Sequence, residues 1–154
     1  MCPLCFNSEF VVVSDEEPKV SCNTNNVGYK WQCVTCQENN VVKVYEGETA
    51  RSARLRGAEH LSQLKLKSKD SVLYKHKVAA HPNQQVKFKM EITSKFSDVL
   101  TRQANEAVCI SRRPDGELLN SKSEFNHPPT ARVILERKKT YSNPGCGTAQ
   151  SSNV

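Results

Sequence analysis

Two short segments alternate apolar and polar residues with a period of two: Tyr29-Lys30-Trp31-Gln32-Cys33 and Val42-Lys43-Val44-Tyr45. Successive side chains of a strand face opposite sides, so each segment is expected to be a strand with one face buried. Residues 34–40 between them are short enough for a hairpin connection, which predicts antiparallel pairing. A helix is expected next. Thr49 or Ser52 can cap it, Ala53, Leu55, Leu61 and Leu64 supply an apolar stripe, and residues 65–69 form its exit. Asp70-Ser71 begins a second helix that runs to about Ala80 and is stopped by Pro82.

The cleanest strand pattern follows. Val86, Phe88, Met90 and Ile92 alternate with Lys87, Lys89, Glu91 and Thr93. Ser97-Asp98 then caps a third helix reaching about Arg112, and Pro114-Asp115-Gly116 reads as a turn. Residues 1–27 read as irregular, with one apolar run at 10–13. Residues 132–137 could add a last short strand, and the Gly-, Ser- and Asn-rich residues 142–154 read as a frayed tail. The order strand, strand, helix, helix, strand, helix predicts an α+β layer built on a small three-stranded antiparallel sheet flanked by helices.

Length bounds this picture: 154 residues suit one domain with a small appendage. No stretch approaches the roughly 18–20 apolar residues of a membrane helix. The start, Met1-Cys2-Pro3-Leu4-Cys5, has neither a basic nor an apolar leader segment, so a secretory signal is not expected. An intracellular, reducing location follows, with the nucleus favoured. Because the chain opens one residue before a Cys-x-x-Cys, it is also expected to be the C-terminal piece of a longer polyprotein.

Charge sharpens the functional reading. Residues 1–50 carry 3 basic and 7 acidic side chains, residues 51–113 carry 14 and 5, and residues 114–154 carry 5 and 4. A strongly basic middle therefore lies between an acidic head and a nearly neutral tail. A solvated lysine-rich surface accounts for such a block, but so does a polyanion partner, whose phosphates release counterions when neutralised. The basic residues between 65 and 89 would then track phosphates.

Seven cysteines add a metal. Cys2-x-x-Cys5 and Cys33-x-x-Cys36 are two knuckles, and thiolates at this spacing can close a tetrahedral structural Zn²⁺ site. The intervening 27 residues are a long gap for a zinc ribbon, and Cys22 is a spare candidate. Residues 1–26 are thus expected to be a cysteine-rich zinc-binding head completed by Cys33 and Cys36, followed by a domain over residues 27–140 and a tail over 141–154. Cys109 reads as a core residue in mid-helix.

Four strings in a fixed order carry a further resemblance. They are Gly28-Tyr29-Lys30-Trp31-Gln32-Cys33, then Val44-Tyr45-Glu46-Gly47-Glu48-Thr49, then Arg51-Ser52 with Arg56 and Glu59-His60, and finally Arg102 to Ile110 followed by Leu119-Asn120-Ser121-Lys122-Ser123-Glu124-Phe125-Asn126. Over residues 27–127 the chain resembles the GIY-YIG endonucleases, in the form carried by retroelements such as Penelope-like elements. The resemblance implies a metal-dependent DNA endonuclease that nicks one strand. It implies Tyr29 as the first-motif tyrosine acting on the attacking water and Tyr45 as the second. It makes Arg56 the grip on the scissile phosphate and Glu106 the single ligand of Mg²⁺ (or Mn²⁺). Asn126 becomes a support for the site. His60, one turn beyond Arg56 on the same helix face, can bond a tyrosine or a phosphate. DNA is the implied partner, a reverse transcriptase domain the implied upstream neighbour, and a monomer the expected state.

Singly, these residues have plain readings: strand aromatics, surface cations, and a Glu106 paired with Arg102 on one helix face. Their joint order is what points to a site. The motif also departs from the family. Glu46 stands where an apolar residue is usual, and the first glycine is displaced by one position. Alternation turns position 46 away from Tyr45, so Glu46 is expected to reach solvent or to weaken the sheet. It favours the alternative, an inactive nucleic-acid-binding module on a degenerate nuclease scaffold. A purely structural zinc-bound interaction domain is a third reading. His76 and His81, at the end of the second helix, are read as DNA-facing or structural.

Overall fold

The computed structural model describes residues 12–14 and 21–121. Along the chain come β1 (Val12–Ser14), β2 (Val27–Cys33), α1 (Val34–Glu38), β3 (Val44–Thr49), α2 (Ala53–Lys65), α3 (Val72–Ala80), β4 (Phe88–Lys95) and α4 (Val99–Arg112). The sheet order is β1-β4-β2-β3. The three strands β4, β2 and β3 are antiparallel, as expected, and β1 adds a short parallel edge beside β4. That edge lies where the pattern read only irregular chain. The expected strand at 132–137, the tail, and Cys2, Cys5 and Cys146 lie outside the described residues. No helix of the described residues is long and apolar enough to cross a membrane.

The helix starts follow their caps. The Ser52, Ser71 and Asp98 side chains accept from the backbone N–H groups of Leu55, Tyr74 and Thr101, satisfying donors that a first turn leaves open. Two local expectations fail for identifiable reasons. Residues 34–40 are not a plain hairpin connection but carry α1, whose start is held by Cys33 Sγ accepting from Cys36 N at 3.4 Å. Its end is marked by Asn40, which adopts φ 58°, a left-handed conformation that asparagine tolerates. Leu55 is 44% exposed rather than part of the buried stripe. It sits two positions from Ala53, on the far side of the helix, while Ala53, Gly57, His60 and Leu61 face inward.

Register organises the sheet into two faces. Tyr29 pairs with Gly47 and Ile92, and Trp31 pairs with Tyr45 and Met90. Phe88, opposite Cys33, continues this apolar face. These residues form the core with Ala53 and Leu61 of α2 and Leu73 of α3. Gly47 is required by this packing, because a Cβ there would lie 2.5 Å from Tyr29 Cζ. The opposite face carries Lys30, Glu46 and Glu48, and α4 packs against β3 and β2.

Glu46 neither reaches solvent nor loosens the sheet. It is 3% exposed and accepts from Arg113 Nε at 2.9 Å, at the end of α4. Glu48 accepts from Arg102, whose Nη1 also donates to Asn26. A buried carboxylate survives when paired in this way, and removing one partner is costly. Glu46→Ile, which restores an apolar residue, is therefore expected to destabilise the domain by about 1–3 kcal/mol, since Arg113 loses its 2.9 Å acceptor. The double change Glu46→Ile with Arg113→Met should recover most of that loss. Urea unfolding of the three proteins measures both, and a single variant as stable as the parent contradicts the pairing argument.

Candidate active site and metal centre

Two constellations form within the described residues. The first gathers Cys33, Cys36, His76 and His81, all buried, with ligand atoms that lie within 4.8 Å of one another. Cys33 ends β2 and Cys36 lies one turn on in α1, while His76 is on α3 and His81 caps its end. Cys36 Sγ is 3.4 Å from His76 Nε2 and 3.1 Å from His81 Nε2, and Cys33 Sγ is 3.6 Å from His81 Nε2. Tetrahedral zinc with Zn–S of about 2.3 Å and Zn–N of about 2.0–2.1 Å places S and N roughly 3.6 Å apart. The donor set and its spacing thus fit a metal ion such as zinc.

This corrects the expected head. The second knuckle is completed among the described residues by His76 and His81, and Cys22 is not in the cluster. Both histidines are buried, and His76 also reaches the wall of the groove beside Tyr45 and Glu106. Burial pushes the Cys33 thiol up to about 12 and lowers His76 to about 4, the latter helped by the neighbouring His81. A neutral imidazole is the form that ligates, and a bound cation is what would stabilise a thiolate in so dry a place. The spacing His76-x4-His81 was the available signal. The two nearby cysteine pairs masked it.

The second constellation centres on Tyr29. Its hydroxyl lies 2.9 Å from His60 Nε2 and accepts from Arg56 Nε at 3.1 Å. With Arg56 donating to the oxygen, the phenol can donate to His60 Nε2 in the tautomer that carries the ring proton on Nδ1. Arg56 also donates through Nη1 to Glu59 at 2.9 Å, and Glu59 accepts from Arg51. The His60 ring packs edge-on to Tyr29, Tyr45 and Trp31, with centroids 5.8, 5.4 and 5.9 Å away. Burial lowers His60 to about 4, and Arg56 adds to the effect, so the imidazole is neutral at ordinary pH. Tyr29, 1% exposed, has its phenol pushed well above the usual range by burial. Burial also raises Tyr45, with a further push from Glu106.

Tyr45 and Glu106 line an open groove of about 630 Å³ with Val72, Lys75, His76 and Ala79 of α3 and with Leu119, Asn120 and Ser121. Burial raises the Glu106 carboxyl to about 7, Glu48 and Glu46 push the same way, and Arg56 opposes them. The simple helix-face pairing with Arg102 does not occur, because Arg102 is turned to Glu48.

The outer edge of β3 adds a residue that the pattern did not single out. Asn120 Oδ1 accepts from Glu46 N and Asn120 Nδ2 donates to Glu46 O, both at 2.8 Å. The side-chain amide therefore acts as a substitute peptide group. Asn126, the expected support, lies outside the described residues. Tyr29, Tyr45, Arg56, His60 and Glu106 are thus brought to one region. Family models, characterised proteins and solved structures offer no match to this chain.

Two measurements test these sites. Cobalt titration of the purified protein is expected to give the absorption of a tetrahedral thiolate–imidazole site. It should be lost in Cys36→Ser and His76→Ala and kept in the double variant Cys2→Ser, Cys5→Ser. The reverse pattern would restore the all-cysteine head. For Glu106, a folded value near 7 against an ordinary 4.5 means the folded state holds this proton more tightly than the unfolded chain. Its contribution to folding is therefore present below about 4.5 and lost as pH rises through about 7. Carbon-detected NMR titration should find Glu106 near 7, and Glu48→Gln should move it down; an unshifted value rules out the Glu48 charge as a cause.

Proposed function

We propose that the chain is a GIY-YIG-type, metal-dependent endonuclease of the kind mobile elements carry, nicking one strand of DNA. The observation that carries this reading is the hydrogen-bonded chain Arg56–Tyr29–His60, with Tyr45 and the carboxylate of Glu106 at the adjacent groove. Phosphodiester hydrolysis needs these parts: a route for the water's proton, a cation on the phosphate and a carboxylate ligand for a metal.

Their roles follow from depth and charge. Tyr45 lines the groove and so is the phenol that orients the water. Tyr29, buried behind it, links the site to His60. As the attacking water gives a proton to the Tyr45 oxygen, Tyr45 passes its own hydroxyl proton to the adjacent Tyr29 oxygen, and Tyr29 passes its proton to the neutral His60 Nε2, so each phenol takes one proton as it gives one. Neither phenol needs to ionise alone, which their raised values would oppose. Arg56 uses Nε and Nη1 for Tyr29 and Glu59, and a guanidinium has further N–H donors for a phosphate oxygen. Glu106 is the residue that would hold Mg²⁺, whose chemistry when bound is to neutralise charge developing on the phosphate.

The inactive-module alternative drew its support from Glu46. With Glu46 paired to Arg113 on the face away from Tyr45, its charge is accommodated without entering the Tyr29 site, which supports the active reading.

Supercoiled plasmid nicking is the direct test, run with and without added Mg²⁺ so that no chelator strips the Cys/His centre. Mg²⁺-dependent nicking should fall to background in Glu106→Gln and drop roughly 10²–10⁴-fold in His60→Ala. Nicking that persists unchanged in Glu106→Gln, or an absence of nicking with any divalent metal, would overturn the reading.

A further inference from the structure

The groove beside Glu106 has two unlike walls. One is the edge of β3 with Tyr45, and the other is a single face of α3. Val72, Lys75, His76 and Ala79 recur at the spacing that one helix face requires. His76 of this face is also a member of the Cys/His cluster. The helix is only 9 residues long, and so short a helix is marginal without docking. Its docking rests on the buried Leu73, on His76 in its middle and on His81 at its end. The cluster thus joins the end of β2, which leads into the Tyr29 site, to the helix that walls the groove.

The groove's chemistry selects its occupant. Lys75, exposed on the α3 wall, places an ammonium across from a half-buried aromatic ring and a carboxylate proposed to hold a cation. Once a divalent cation sits at Glu106, both walls attract a polyanion. The volume of about 630 Å³ lies within the range of ligand clefts. A strand that runs past the cut site must go somewhere adjacent to Tyr45 and Glu106, and this groove adjoins both.

We propose that the groove between α3 and the β3 edge takes the sugar–phosphate backbone of the nucleic-acid strand flanking the scissile bond, with Lys75 as a phosphate contact, and that metal in the Cys33–Cys36–His76–His81 centre holds the α3 wall in place. The inference rests on the nuclease reading and assigns the two metals separate duties. The Cys/His metal governs affinity, and the Glu106 metal governs cleavage.

The test is binding of a short labelled DNA oligonucleotide, followed by fluorescence anisotropy over a salt series with Ca²⁺ in place of Mg²⁺, which fills the Glu106 site without supporting cleavage. It uses zinc-loaded protein, zinc-stripped protein, Lys75→Gln and Lys75→Arg. Lys75→Gln should bind several-fold more weakly, with a salt dependence smaller by about one phosphate, while Lys75→Arg restores both. Stripping zinc should lower affinity at least tenfold. In parallel, hydrogen exchange should rise over residues 72–81 while residues 27–33 stay protected. Wild-type affinity and salt dependence in Lys75→Gln would overturn the groove assignment and leave the nuclease reading standing. Unchanged affinity on stripping, or exchange rising through the sheet as well, would overturn the wall's dependence on metal. Zinc-loaded parent protein with no DNA affinity at low salt would remove the nuclease reading and this inference together.

Discussion

The outer edge of β3 is the constraint on which the site depends. An edge strand exposes a row of N–H and C=O groups, and each must find a partner or remain in water. Here the row is closed one rung at a time. Val44 donates to Glu117 O and accepts from Leu119 N, both at 2.8 Å. Glu46 is closed on both its N–H and its C=O by the Asn120 amide. Satisfying backbone groups thereby places Leu119 and Asn120 along one line, beside Glu106 of α4. That line is also a wall of the groove. The bonds that close the edge strand also build a wall of the site.

The two faces of the sheet divide the remaining work. On one, Tyr29 lies over Gly47 and touches His60 and Arg56, and the absence of a Cβ at position 47 lets the ring settle there. On the other, Glu46 with Arg113 and Glu48 with Arg102 tie β3 to α4. These pairs keep α4 in register with β3, and α4 carries Glu106. Buried ion pairs are weak evidence for stability but good devices for orientation, since a shifted register would strand a charge. The same carboxylates help raise Glu106, so orientation and electrostatics are coupled through β3.

The Cys/His centre answers a different problem. α1 and α3 are 5 and 9 residues long, too short to stand by propensity alone. Four donors from these elements and the end of β2 converge in a dry pocket, and a metal bound there would add folding energy to elements this short.

Local chemistry was legible in the sequence. Ser52, Ser71 and Asp98 announce helix starts, and the alternation from Phe88 to Ile92 announces a strand, because caps and periodicity depend only on neighbours. The gathering of Tyr29, Arg56 and His60 was legible as well, through the order of their motifs. What the tertiary structure alone decided was partnership across distance. Cys33 and Cys36 meet histidines some forty residues onward, Glu46 meets Arg113, and Asn120 meets the edge of β3. No periodicity encodes such pairs. They arise when burial leaves a polar group without water and only one fold brings it an acceptor or a donor.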